Sequence, residues 1–134
     1  MPRADHPDSA AQWLRRARSN LIQARAGLLS PDMLYEDSCF AAQQAAEKAI
    51  KAVLVRRRVS FPKTHDIAAL LTFVERSGLK VPADVLEAHV LTEYAVETRY
   101  PGVSEEVSEE EYRQASACAE IVVEWARSVV DAAS

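Results

Sequence analysis

The stretch CFAAQQAAEKAIKAVL, residues 39–54, determines the fold of this chain. Its apolar residues recur at helical spacing and predict one long amphipathic helix over Asp32–Arg57. One stripe consists mostly of small residues: Cys39, Ala42, Ala46, Ala49 and Val53. Three larger residues widen it: Phe40, Ile50 and Leu54. Small side chains let a neighbouring helix approach closely, and we expect that neighbour to come from the same chain or from a second copy.

The preceding segment predicts a first helix over Ser9–Leu29, with apolar residues again at helical spacing. Ser30-Pro31 separates it from the long helix. We interpret Ser30 as the cap of the long helix and Pro31 as its first residue, because proline fits the first turn.

Three further helices are predicted after the long one. The third spans His65–Ser77, with Thr64 as its cap and Gly78 as its left-handed end. The fourth spans Ala83–Thr98. The last begins at the capping-box sequence Ser108–Glu111 and runs to Ala132. Because no strand pattern is present, the sequence predicts an all-α, antiparallel four- to five-helix bundle of the up-and-down kind.

The composition is that of one ordinary globular domain. The chain has 134 residues, of which 49% are hydrophobic and 27% are charged. We expect residues 1–134 to form one domain, with residues 1–8 flexible and Cys39 and Cys118 as free thiols of a reduced cytoplasmic protein. We expect no signal peptide and no membrane span. The net charge of −4 gives no overall attraction to nucleic acid.

Local charge departs from that average. Basic residues concentrate in 15–25 and 56–63, and five glutamates lie within 105–111. The motifs that usually mark phosphate loops, zinc helices and serine nucleophiles are absent from the sequence. We therefore expect no metal site and no cofactor.

His65 is the candidate histidine, because it follows Lys63-Thr64 and precedes Asp66. It lies either in a ligand site with Lys63 or in a helix start, where Thr64 and Asp66 serve only as caps.

Arg99 and Tyr100 form a second candidate cluster, followed by Pro101. Arg99 would grip a phosphate with its fork of donors, and Tyr100 would stack on a base. Alternatively, Arg99 pairs with Glu97 or Glu47, and Tyr100 packs on the bundle.

A third cluster of polar residues surrounds the apolar stripe of the long helix: Gln43, Gln44, Glu47, Lys48 and Lys51. It is either a solvated face with a Glu47–Lys51 ion pair or a polar seam in a cleft or dimer interface.

Three segments together resemble the HEPN family (higher eukaryotes and prokaryotes nucleotide-binding domain). Residues 39–54 resemble its second helix, Thr64–Ile67 with Leu70-Leu71 resembles the start of its next helix, and Tyr94–Pro101 resembles the segment before its last helix. The resemblance implies a helical bundle that dimerises, in a prokaryotic cell, beside a minimal nucleotidyltransferase partner. It also implies a nucleotide or RNA ligand, and a toxin–antitoxin pair in several branches.

The nuclease branch of that family carries an arginine followed, after four to six residues, by a histidine late in the bundle. Arg99 has no such histidine after it. The spacing is matched by Arg58 and His65, in an earlier segment. Our leading interpretation is a nucleotide- or RNA-binding module whose site contains Lys63, His65, Arg99 and Tyr100. The alternatives are a metal-independent endoribonuclease toxin using His65 with Arg58 or Arg99, and a non-catalytic structural partner subunit.

Overall fold

The computed structural model describes residues 7–96 and 106–132, and every regular element in these two ranges is a helix. The predicted all-α fold class is therefore confirmed. The α-helices are α1 (Pro7–Arg25), α2 (Tyr35–Arg56), α3 (Ile67–Arg76), α4 (Ala83–Leu86), α5 (Glu93–Val96) and α6 (Glu109–Ala132). None of the helices in the described residues is both long enough and apolar enough to cross a membrane.

Helix α2 is the centre of the bundle and packs most extensively against α1 and α6. The predicted stripe is buried, together with Ile50 and Leu54, whereas Phe40 is 47% exposed and does not join the core. Alanines dominate the buried positions, so neighbouring helices of the same chain lie close to the α2 backbone. The small-residue stripe thus packs against helices of the same chain.

Helix α2 begins three residues later than predicted, at Tyr35, with Leu34 at the capping position. The Ser30 hydroxyl accepts from the Asp32 backbone N–H at 3.1 Å, and the Met33 N–H donates to the Ser30 carbonyl at 3.2 Å. Ser30 and Pro31 therefore belong to a turn that follows a 3₁₀ helix at Ala26–Leu28. The prediction was wrong because a serine hydroxyl closes such a turn as readily as it caps a helix.

Helix α3 is capped by Asp66 rather than by Thr64. The Asp66 carboxylate accepts from the Ala69 N–H at 3.2 Å, and the Thr64 hydroxyl accepts from the Asp66 N–H at 3.0 Å. His65 consequently precedes the helix instead of beginning it. Gly78 follows the helix with a φ of 96°, as its predicted role at the helix end requires.

The predicted fourth helix is divided into α4, a 3₁₀ helix at Glu87–Thr92, and α5. Val85, Ala88 and Leu91 are buried at intervals of three residues. This spacing fits the three residues per turn of a 3₁₀ helix better than the 3.6 of an α-helix. Thr98, the predicted end, lies outside the described residues.

Helix α6 begins as the capping box predicts. The Glu111 N–H donates to the Ser108 hydroxyl at 3.1 Å, and the Ser108 N–H donates to the Glu111 carboxylate at 3.2 Å. The two cysteines are not joined in a disulfide, and Cys39 is buried while Cys118 is half-buried.

Candidate functional site

Three polar side chains of α2 form a buried seam within the chain. Glu47 accepts from Gln43 Nε2 at 2.7 Å through Oε1 and from Lys51 Nζ at 2.7 Å through Oε2. Only 4% of the Glu47 side chain and 11% of the Lys51 side chain are exposed. Of the two interpretations of this cluster, the solvated face is therefore wrong for Gln43, Glu47 and Lys51.

The seam keeps Glu47 ionised. Burial by itself raises the pKa of Glu47, but hydrogen bonds from Lys51, Gln43 and His65, together with the Lys51 charge, outweigh it and hold that pKa below its ordinary value. Because this buried carboxylate stays charged, it can accept hydrogen bonds from neighbouring side chains and fix their positions.

His65 is one of those side chains. Its Nδ1 lies 2.9 Å from Glu47 Oε1, while 60% of its side chain is exposed. Because an ionised carboxylate only accepts, Nδ1 carries a proton and donates to Glu47 Oε1. Glu47 thus orients the histidine and leaves Nε2 as the ring nitrogen outside the seam.

The connection between α2 and α3 runs antiparallel to α2 and forms a cleft with α1. Lys51 Nζ lies 5.5 Å from the centre of the Trp13 ring and 5.9 Å from the centre of the Phe61 ring. Such distances allow cation–π attraction. A cavity of about 410 Å³ lies beside these rings and is lined by Trp13, Lys51, Phe61, Pro62, Lys63, Thr64 and His65. We call it the His65 lobe.

A second cavity, also of about 410 Å³, is lined by Trp13, Val55, Arg58, Val59, Ser60, Phe61 and Lys63. We call it the Arg58 lobe. Trp13, Phe61 and Lys63 line both lobes, so the two cavities adjoin, and we name them together the Trp13–Phe61 cleft.

The structure brings together three of the residues singled out from the sequence: Arg58, Lys63 and His65 line the cleft. Glu47 and Gln43 lie in the seam that supports His65. Lys48, expected in the polar seam, instead donates to Asn20 Oδ1 on α1 at 2.9 Å. It diverges because successive polar residues of a helix point to different sides.

The two remaining candidate site residues, Arg99 and Tyr100, lie outside the described residues. Among the residues that are described, no cluster of three or more potential metal ligands from His, Cys, Asp and Glu occurs.

Sequence reasoning missed Trp13 and Phe61 as cleft residues, whereas Lys51 belongs to the predicted polar cluster of the long helix. Trp13 is one of the apolar residues at helical spacing in the first helix, and it is half-buried. Phe61 lies in a stretch treated as a connection. The available signal was an aromatic residue within the basic run 56–63, since basic residues interleaved with aromatics are typical of nucleic-acid-binding surfaces.

The helical bundle places this chain among the small all-α proteins. The HEPN domain model matches residues 10–129, so the chain belongs to the HEPN domain family. It is similar to the crystal structure of ST0689, an archaeal HEPN homologue, with a TM-score of 0.71 and 28% identity over 97% of this chain and 99% of that one.

It is also similar to the crystal structure of TT1696 from Thermus thermophilus, with a TM-score of 0.74 and 32% identity over 91% of this chain and 98% of that one. No match to a curated protein was found.

Proposed function

We propose that this HEPN domain protein binds nucleotides or RNA as a non-catalytic module, and that the Trp13–Phe61 cleft is its site. The observation that carries the proposal is the combination, in one cleft, of two aromatic rings with Lys63, Arg58 and His65. Aromatic faces stack on bases, and cationic side chains bind phosphates.

The charges of the cleft favour an anionic ligand. Lys51 is neutralised by Glu47, but Arg58 and Lys63 have no acidic partner among the described residues. In the proposed site Lys63 adds positive charge and His65 supplies a ring nitrogen. Arg99 would hold a phosphate with its fork of donors and Tyr100 would stack on a base, as their residue types predict.

The wider setting of this proposal rests on family membership. We propose a cytoplasmic homodimer in a prokaryote, paired with a minimal nucleotidyltransferase in a toxin–antitoxin-like module. The archaeal origin of one structural neighbour and the Thermus thermophilus origin of the other support the prokaryotic setting. The alanine stripe of α2 gives no support to the dimer, since it is buried inside the chain.

Nucleotide binding is tested by the fluorescence of Trp13. The chain has two tryptophans, so a Trp125→Phe background leaves Trp13 as the reporter. Titration with ATP or with poly(A) should quench its emission. Lys63→Ala should weaken binding about tenfold, because one charge-assisted contact to phosphate is lost.

Lys80→Ala is the matched control, since Lys80 is also exposed but does not line the cleft. Equal weakening by Lys63→Ala and Lys80→Ala would indicate general charge attraction only. No quenching by either ligand, with the protein folded, would reject the cleft as the site.

A second candidate function, metal-independent RNA cleavage, is favoured by the Glu47–His65 pair. A histidine held by a buried carboxylate is the usual arrangement of a general base. His65 Nε2 would take the proton of a ribose 2′-hydroxyl, whose oxygen would attack the adjacent phosphorus while Arg58 stabilises the phosphate charge. The 5′-oxygen would leave with the proton returned by His65, producing a cyclic phosphate end and a 5′-hydroxyl end.

This alternative predicts that the purified protein cleaves single-stranded RNA in EDTA and that His65→Ala reduces the rate at least about a hundredfold, as loss of a general base does. His89→Ala is the matched control, because His89 is an exposed histidine away from the cleft. Intact RNA with folded wild-type protein would leave the binding module as the function. Cleavage that survives His65→Ala would rule out this mechanism.

A further inference from the structure

Arg58 has a backbone conformation that disfavours an arginine. Its φ is 60°, in the left-handed region, directly after the end of α2. The Val59 N–H donates to the Leu54 carbonyl at 2.9 Å, and the Arg58 N–H donates to the Val55 carbonyl at 3.0 Å. These two bonds form a Schellman motif, whose left-handed position usually holds glycine. The same chain uses Gly78 after α3, so Arg58 stands where glycine would be the less strained residue.

The neighbouring Arg57 shows what a structural arginine does at this helix end. Its Nε donates to the Ser77 hydroxyl at 2.7 Å, and its Nη2 donates to the Ser77 carbonyl at 2.8 Å, which ties α2 to α3. Arg58 has no such partner among the described residues and is exposed, with its side chain lining the Arg58 lobe. Its five donors therefore remain available to a ligand.

The two lobes share the aromatic pair and Lys63 but differ in one further polar side chain. One lobe contains Arg58, the other contains His65, and Lys63 borders both. Each lobe by itself is within the volume range of small-ligand sites, so each has room for one part of a longer ligand. Glu47, the carboxylate beneath the cleft, is ion-paired and offers little repulsion to anions.

We infer that the Trp13–Phe61 cleft is built for a single-stranded oligonucleotide, with two separate phosphate subsites. Arg58 binds one phosphate with its fork of donors, Lys63 and His65 bind the next, and the base between them stacks on Trp13 or Phe61. This inference rests on the proposed nucleotide binding and adds the class of ligand. It also explains why an arginine occupies a glycine position.

The test compares two ligands that each carry two phosphates. In 5′-phosphorylated diadenylate a nucleoside separates the phosphates, whereas in ADP they are adjacent on one nucleoside. Binding is followed by Trp13 fluorescence in the Trp125→Phe background. The diadenylate should bind at least about tenfold more tightly than ADP, since it reaches both lobes.

Arg58→Gly should weaken diadenylate binding about tenfold, weaken ADP binding by a smaller factor, and raise the urea midpoint of unfolding, because glycine relieves the left-handed backbone. Arg58→Lys should retain part of the diadenylate affinity. Equal affinity for the two ligands, or diadenylate binding that Arg58→Gly does not change, would overturn the two-subsite inference while leaving nucleotide binding intact. Failure of the wild type to bind either ligand would overturn both proposals.

Discussion

A Glu47→Leu variant is expected to lose about 3 kcal/mol of unfolding free energy, measured by urea denaturation at neutral pH. Glu47 is the shared acceptor of Gln43, Lys51 and His65. Without Glu47, the ammonium group of Lys51 and the amide of Gln43 lose their acceptor while they are buried on α2. Because natural domains have only about 5–15 kcal/mol of stability, one substitution would remove a large part of it.

The loss should fall at the lower end of the range for broken buried ion pairs, which is about 3–5 kcal/mol. Lys51 Nζ already lies beside the rings of Trp13 and Phe61 at the His65 lobe. The freed ammonium group can therefore turn toward water through the cleft instead of remaining buried.

A double variant separates the ion pair from the general cost of changing the core. Glu47→Leu with Lys51→Met removes both charges, so it should be more stable than Glu47→Leu alone, with a coupling of about 1–3 kcal/mol. Stability close to wild type in the single variant would show that the seam contributes little to the fold.

The pH dependence gives an independent check on the same variant. Since the pKa of Glu47 is lower in the folded protein than its ordinary value of 4.5, its contribution to stability is present above that pH and disappears as pH falls through the folded pKa. Wild type should therefore lose stability more steeply than Glu47→Leu on acidification below about pH 4.5. Parallel curves would contradict the assignment of Glu47 as the ionised acceptor.

The sequence predicted those parts of the fold in which one local signal dominates. The apolar stripe identified α2, Ser108 with Glu111 located the start of α6, and Gly78 marked the end of α3. Ser30-Pro31 failed because turn and helix start use the same side-chain chemistry, and only the tertiary position of the 3₁₀ helix at Ala26–Leu28 decides between them.

The cleft was less accessible to sequence reasoning, because its two walls are far apart in the chain. Lys63 and His65 were identified from their local sequence and Arg58 from its spacing to His65, but Trp13 approaches them only after α1 packs on α2. Likewise, Glu47 and Lys51 have the spacing of an ordinary surface pair. Their burial depends on the return of residues 57–66 along α2, which no periodicity encodes.

Gly27→Ala is expected to destabilise the protein by about 2 kcal/mol, although alanine is the better helix former by up to about 1 kcal/mol. A Cβ at residue 27 would overlap Ser38 Oγ and would lie 3.0 Å from Ser38 Cβ and 3.1 Å from Tyr112 Cε1. The hydroxyl alone can rotate, but the other two atoms cannot retreat easily.

Tyr112 is fixed because its hydroxyl donates to the Ala24 carbonyl at 2.7 Å and its ring stacks on Tyr35 at 5.1 Å between centres. A shift of Tyr112 would break that buried hydrogen bond, and a shift of the chain at residue 27 would move α1 relative to α2. Because α1 carries Trp13, such a shift should also change the Trp13 emission in the Trp125→Phe background.

Ser38→Ala provides the control for this contact. Ser38 Oγ is buried and has no hydrogen-bond partner in the part of the chain that the structure describes, so its removal alone should leave stability unchanged or slightly higher. Combined with Gly27→Ala, it removes the overlap with Ser38 Oγ but keeps the contacts with Ser38 Cβ and Tyr112. We therefore expect the double variant to regain about 1 kcal/mol of unfolding free energy. This gain is measured from the urea midpoint, with the same dependence of free energy on urea in both variants. If Gly27→Ala were as stable as wild type, the 3₁₀ helix at Ala26–Leu28 would not need its close approach to α2, and the need for glycine at residue 27 would be disproved.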